Sequence, residues 1–248
     1  MVDIPSETPL EKQQLNSLVS PSGTFWHRVR FNAVGKIAAR FSIDQILDVG
    51  AGSGHLGIYV SQKLPGIRYR FVEPIESLNH SLSERFGEIN SVGLSEFAGK
   101  KESITCLDVL EHIENDSLFV SELFDKLSSD NYLILTVPAM PMLFSKWDVN
   151  LGHFRRYSKS TLRAVFSHTL FEIIECNYIF PELVIPAFFR KYFSRSKSMA
   201  SAEFPSLPIF FDLLLEAVGI LILKLRRFVP IGSSILLVAV KPRPVHQP

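Results

Sequence analysis

The sequence predicts an α/β domain built on a doubly wound, seven-stranded, mostly parallel sheet, and three observations carry that expectation. Short apolar runs alternate with longer stretches of helical period from residue 24 to residue 180. The first apolar run, QILDV, opens at once into three alternate glycines, Gly50, Gly52 and Gly54. The other chemistry-bearing clusters, FVEP at 71–74, LDVLEH at 107–112 and the segment from Val137 to Leu162, each begin at the end of an apolar run. Strands alternating with crossover helices give a parallel sheet whose ligand crevice lies at the carboxyl ends of the strands.

Element by element, residues 1–23 read as a flexible lead with a short helix, closed by Pro21 and Gly23. Helix 24–40 follows, then strand 45–49, helix 55–64, strand 68–72, helix 76–87 and strand 89–93. Strand 103–108, helix 116–128 and strand 131–137 continue the alternation, and helix 159–168 leads to strand 171–179. A last apolar run at 234–241 supplies the seventh strand. Residues 24–180 together with 234–248 therefore form one domain, and 181–233 stand apart as a helical insertion before the last strand.

That insertion contains FPELVIPAFFRKYFSRSKS, where an aromatic run gives way to Arg190, Lys191, Arg195 and Lys197, and then LPIFFDLLLEAVGILILKLRRF. The second stretch is apolar enough to raise the question of a membrane span. Asp212 and Glu216 sit four residues apart, on a face that Gly219, Leu223 and Arg226 or Arg227 continue, which favours a partly amphipathic helix instead. A lid, a dimer surface, a membrane-interface anchor and an added pair of core helices all suit this composition.

Composition narrows the function. A chain of 248 residues buries a proper core as a single domain. Its formal net charge of +1 provides no global field for nucleic acid, so no nucleic-acid partner is expected. Cys106 and Cys176, the two cysteines, form neither a disulfide framework nor a metal pattern. The start, MVDIPSETPLEKQQLNSL, lacks the basic residues and apolar run of a signal peptide, so a cytoplasmic protein is expected, peripheral to the inner face of the membrane if the insertion is an anchor.

Glycines at 50, 52 and 54 let a strand turn tightly into a helix while backbone approaches a ligand. Gly52, Gly54 and Gly57 also spell GxGxxG, with Glu73 about 20 residues on, as in a dinucleotide fingerprint. A dinucleotide brings a pyrophosphate to the helix N-terminus, however, and Asp48 would stand poorly beside it. A cationic ligand fits better. S-adenosylmethionine, with a sulfonium, an ammonium and no phosphate, suits an acid at the loop and a second acid at the ribose.

The chain is similar here to the class I S-adenosylmethionine-dependent methyltransferases. LDVGAGSG resembles the family's first motif, FVEP the acidic end of its second strand, and ITCLDVLEHI the fourth strand and turn of ubiquinone-type and related small-molecule enzymes. VPAMPMLFSKWDVNLGHFRRYSKSTL and TFWHRVR resemble segments of bacterial methyltransferases from polysaccharide- or lipid-modification loci. The resemblance spans about residues 24–180 and 234–241. It implies the Rossmann-like methyltransferase fold, an antiparallel last strand, and S-adenosylmethionine as cofactor. It also implies donor contacts from Asp48, Gly50, Ala51, Gly52, Gly54, Glu73, Leu107 and Asp108. Trp26 with Arg28 or Arg30 would close over the donor, and GLSEF offers Leu94, Ser95 or Glu96 to the adenine.

On the acceptor side His112 and His153 are the candidate bases, because imidazole titrates near neutral pH. Glu111 and Tyr157 stand behind them. Arg155 and Arg156 suit an acceptor carboxylate or phosphate, and Trp147 with Asp148 suits the pocket wall. Asp108, Glu111 and His112 also form a D-x-x-E-H set that some ubiquinone-type enzymes use for a divalent metal. Three ligands from one short segment are tight, the same carboxylates can serve the donor, and no metal is expected. The reading that results is O-methylation of a small, glycan-like or lipid-linked acceptor. A donor-binding scaffold without catalysis, with 181–233 as its partner surface, and an NAD-dependent oxidoreductase are the alternatives. Oligomeric state is left open.

Overall fold

The structure, a computed structural model, describes Glu11, Gln14 and residues 23–97, 101–193 and 207–244. Helix α1 (Phe25–Phe41) leads into strand β1 (Gln45–Val49), helix α2 (His55–Lys63), β2 (Arg68–Val72) and α3 (Glu76–Phe86). Then come β3 (Ser103–Leu107), α4 (Asp116–Lys126), β4 (Tyr132–Pro138), α5 (Lys146–Asn150) and α6 (Lys159–Val165). Strand β5 (Glu172–Ile179), helices α7 (Val184–Phe193) and α8 (Ile209–Leu225), and β6 (Ser234–Val240) complete the chain. The expected lead over 1–23 and the basic residues Arg195 and Lys197 lie outside the described residues, apart from Glu11, Gln14 and Gly23.

The sheet order is β2-β1-β3-β4-β6-β5. Strands β1 to β4 pair in parallel, and β6 runs antiparallel between β4 and β5. Alternation in the strands assigns side chains to two cores. Leu47, Leu133, Leu135 and Leu237 pack with α4 and α6 on one face, while Ile46, Ile134, Leu236 and Val238 pack with α1, α2 and α8 on the other. Apart from the buried polar groups Asp48, Ser103, Thr105 and Thr136, the inner strands are apolar on both faces, as a covered sheet requires.

Among the described residues six strands replace the expected seven. Residues 89–93 contribute one parallel bridge, Ser91 to Phe71, closed by a 2.9 Å bond from the Val92 amide to the Phe71 carbonyl. Tight helical turns at Glu88–Asn90 and Leu94–Glu96 flank it. The reason is local: Asn90, Ser91 and Gly93 interrupt the run with turn formers, and Ile89 is 87% exposed, so a single buried valine is left to hold a strand.

At the carboxyl edge of the sheet the chain turns sharply. Asp108, Met140 and Phe180, which follow β3, β4 and β5, all have positive φ, of 55°, 61° and 58°. Asp tolerates this region, whereas Met and Phe store strain there. The turn at Asp108 lines the candidate site.

Candidate active site

Gly50 and Gly54 turn β1 into α2 with φ of +73° and +72°. A Cβ on Gly50 would lie 2.6 Å from Val109 Cγ2, and one on Gly54 2.3 Å from Leu82 Cδ2, so both positions exclude a side chain by conformation and by space. The Gly50 and Ala51 amides donate to the Val72 carbonyl at 2.8 and 3.2 Å, which fixes the loop to the end of β2. Between this loop, α1 and the end of β3 lies a cleft of about 120 Å³ lined by Asp48, Gly50, Ala51, Gly52, Leu107 and Asp108 among the expected donor residues. His27, Arg30, Phe31, Ser53, His55 and Leu56 line the rest, with Gln14, whose Oε1 accepts from the Ser53 amide at 3.1 Å.

Several expected contacts have other partners. Asp48, 3% exposed, accepts from Thr105 Oγ1 at 2.7 Å and from the Tyr69 hydroxyl at 2.9 Å, and burial pushes its carboxyl up to about 6 against those two bonds. Glu73 accepts from the Gly52 amide at 2.7 Å and the Ile75 amide at 3.0 Å, so it braces the loop from the end of β2. Gly54 caps α2, and Leu94 packs against the core. Arg28 turns away from the cleft to pair with Asp212 and Glu216 of α8, and Trp26 packs edge-on against Phe25. Arg30, the other arginine expected over the donor, takes the cleft, and His27 and Phe31 join it because positions three and four apart share a helix face. That spacing in TFWHRVRF was the signal available in the sequence. His55, first residue of α2, had no comparable signal.

Arg30 is the chief charged group of the cleft. It is buried, forms an ion pair with Asp108, and keeps its Nε buried without a hydrogen-bond partner. Burial lowers its pKa to about 10, which leaves it cationic at neutral pH. Thr136 Oγ1 donates to Asp108 Oδ1 at 2.9 Å and holds the other end of the pair. A glycine turn, two flanking carboxylates and a guanidinium with an unsatisfied N–H fit the ribose, cations and carboxylate of S-adenosylmethionine. A pyrophosphate would meet Asp48 and Glu73.

A second cluster stands beyond Arg30, at the ends of β3 and β4. Asp148, fully buried, accepts from the Ser145 amide at 2.9 Å and Ser145 Oγ at 3.1 Å, from Arg156 Nε at 2.6 Å, and faces His153 Nδ1 at 3.2 Å. Burial opposes its ionisation, but the His153 and Arg156 contacts outweigh that and bring its pKa down to about 2. With Nδ1 committed to Asp148, His153 presents Nε2 to Glu111 Oε1, 4.0 Å away, and its ring meets His112 edge-on at 4.6 Å. Burial and the neighbouring His153 lower His112 to about 4, so it is neutral at pH 7. Burial raises Glu111 to about 8 despite the charges of Arg30 and Arg156, and its Oε2 has no partner. Trp147 meets His153 edge-on at 6.3 Å, under the Arg190 guanidinium at 3.9 Å from its ring.

Glu111, His112, Trp147 and His153 thus come together, and Arg156 lies beneath them through Asp148. Arg155 and Tyr157 turn elsewhere: Arg155 pairs with Asp116 at 2.8 Å and bonds the Glu114 carbonyl, while the buried Tyr157 hydroxyl donates to Asp116 Oδ2 at 2.9 Å. They tie the segment after β4 to the start of α4. Glu111, His112 and His153 each bring a ligand-type atom within 4.8 Å of the others, a set able to share a proton or hold a divalent cation. Asp108, the remaining member of the D-x-x-E-H set, is engaged by Arg30 and Thr136.

Comparison with known proteins bears on the donor. The chain aligns with a chain of the complex between the Haloferax volcanii Trm112 methyltransferase activator and a methyltransferase at a TM-score of 0.57, with 14% identity, over 96% of this chain and 100% of that one. Coclaurine N-methyltransferase, bound to N-methylheliamine and S-adenosylhomocysteine, aligns at 0.51 with 15% identity over 84% and 71%. The [4+2]-cyclase SpnF aligns at 0.58 with 14% identity over 95% and 94%, so the fold itself hosts more than one chemistry. No curated protein sequence matches the chain. The family model described as a methyltransferase domain matches residues 14–175, more than half of the chain and both clusters described above. With the glycine turn, the paired carboxylates and the Arg30 cleft, that match makes the chain a class I methyltransferase-domain protein whose cofactor is S-adenosylmethionine.

Proposed function

We propose that the protein methylates an oxygen of a small, glycan-like or lipid-linked acceptor, with His153 as the general base. The observation that carries this reading is the Asp148–His153 contact at 3.2 Å, which commits Nδ1 and leaves Nε2 turned toward Glu111 beside the neutral His112. Bound S-adenosylmethionine supplies an electrophilic methyl group on a sulfonium. What remains for the chain is to hold the acceptor in line and to take up its hydroxyl proton as the new O–C bond forms. Asp148 stabilises the imidazolium that results, and Arg156 keeps Asp148 ionised. Arg30 joins the two clusters, since it lines the donor cleft and its charge also reaches Glu111. The stacked pair of Trp147 and Arg190 offers a wall to a sugar ring or carrier chain.

His153→Ala should lower methyl transfer to a hydroxyl acceptor by about 10²–10⁴-fold while donor affinity is unchanged. The assay is label transfer from radioactive S-adenosylmethionine to hydroxyl-bearing glycan and lipid-linked acceptors. Donor affinity is read by calorimetry on the same preparations. Full activity of the variant, or transfer to amines alone, would replace the base mechanism with simple positioning.

A further inference from the structure

Helix α8 carries its two acids inward. Asp212 Oδ1 accepts from the Phe25 amide at 3.0 Å, Glu216 Oε2 accepts from Arg28 Nε at 2.7 Å, and Arg28 also pairs with Asp212. Gly219 continues the same stripe against α1, where a Cβ would come within 2.8 Å of Val29 Cγ2, and Leu223 below it is buried. The polar face of this amphipathic helix is thus consumed by the fold, and the apolar face is what remains outside. Ile209, Phe210, Leu213, Leu221, Leu225 and, just beyond, Phe228 are all exposed, the last at 83%.

Helix α7 adds to this surface. Ile185, Phe188 and Tyr192 are exposed, and the helix contains no acid. Both helices are tied to Phe25: its ring packs edge-on against Phe180, which lies just before α7, and its amide donates to Asp212 of α8. No helix among the described residues is long and apolar enough to cross a membrane. A 17-residue helix with one apolar side is suited to lying in the interface plane.

Charge identifies the occupant. The only acids of α8, Asp212 and Glu216, face α1, so the outward face of both helices lacks negative charge. At the far end of α8 Lys224 is exposed near Lys36, whose pKa burial and its cationic neighbours hold below the ordinary value, while Arg226 turns inward to pair with Glu175 at 2.8 Å. Arg227 extends this basic end at the surface. An apolar face with a basic flank complements acyl chains bordered by anionic headgroups. Two copies packed through it would bring like charges together.

We propose that the outward faces of α7 and α8 seat the protein on an anionic lipid bilayer, in the plane of its interface. Because Arg190 of α7 stacks on Trp147, the seat adjoins the His112–His153 cluster, and a lipid-linked acceptor can reach that cluster with its carrier still in the bilayer. This last step rests on the acceptor reading given above, whereas the docking itself does not.

Co-sedimentation of the full chain with vesicles of phosphatidylcholine, with and without phosphatidylglycerol, tests the docking. Binding should need phosphatidylglycerol for full strength and weaken in high salt. Phe210→Asp with Leu221→Asp should reduce partitioning by on the order of 10-fold or more. Lys224→Glu with Arg227→Glu should remove the phosphatidylglycerol dependence at about 5-fold per residue. Calorimetry with S-adenosylmethionine on both variants should give the wild-type affinity, which shows them folded. No pelleting with either vesicle, or a dimer in solution that buries the face and does not bind lipid, overturns the proposal. Pelleting without methyl transfer to a lipid-linked hydroxyl would leave the seat standing and remove the acceptor reading.

Discussion

Glu111 allows a sharp test of the site's electrostatics. Its carboxyl is 1% exposed, and burial holds its pKa near 8 against 4.5 in the unfolded chain. A group that binds its proton more tightly when folded destabilises the fold as pH rises through the interval between the two values. Other shifted groups contribute lower down: Asp48, near 6, acts in the same direction up to about that pH. His112, near 4, and His27, held well below 6.5 by burial, act in the opposite direction below about their unfolded value of 6.5. Between about pH 7 and pH 8 Glu111 is therefore the dominant contributor, with roughly half to one proton of difference between the states. At about 1.4 kcal/mol per proton per pH unit, that interval costs the native state roughly 1 kcal/mol. Glu111→Gln removes the titration and keeps the shape. Urea unfolding followed by tryptophan fluorescence should show wild-type stability falling by about that amount across the interval and the variant staying flat. A wild type that is flat, or a variant with the same slope, would mean that Glu111 is ionised in the fold and that Arg30 and Arg156 outweigh its burial.

Gly54→Ala should destabilise by about 2–4 kcal/mol, since it combines a left-handed φ with a Cβ 2.3 Å from Leu82, and the thermal midpoint measures it. Asp148→Ala should cost about 3–5 kcal/mol, because Arg156 would be left buried without its carboxylate; denaturant titration showing less than 1 kcal/mol would contradict the network. Arg30→Met should weaken S-adenosylmethionine binding by about 10-fold or more by calorimetry, and an unchanged affinity would place the donor's carboxylate elsewhere.

What the sequence determined by itself is whatever rests on local pattern. Period and punctuation placed β1, β2, β3, β4, β5 and β6 within a residue or two. The alternate glycines announced a turn that only glycine can make at 50 and 54. Asp212, Glu216, Gly219 and Leu223 were also legible as one face of a helix. Tertiary structure decided which way that face turns, because Arg28, the partner that draws the acids inward, lies 184 residues from Asp212 in the chain. The same contact takes Arg28 from the donor cleft and leaves Arg30 there, a choice invisible in a helix that offers both. Strand 89–93 failed because its polar residues could hold only one bridge at the sheet edge. Spacing brought His112 and His153 forward as equals; packing separated them, since only His153 has a buried carboxylate at its Nδ1. Periodicity fixes which residues share a face, but the partner for that face comes from distant segments, and only their packing selects it.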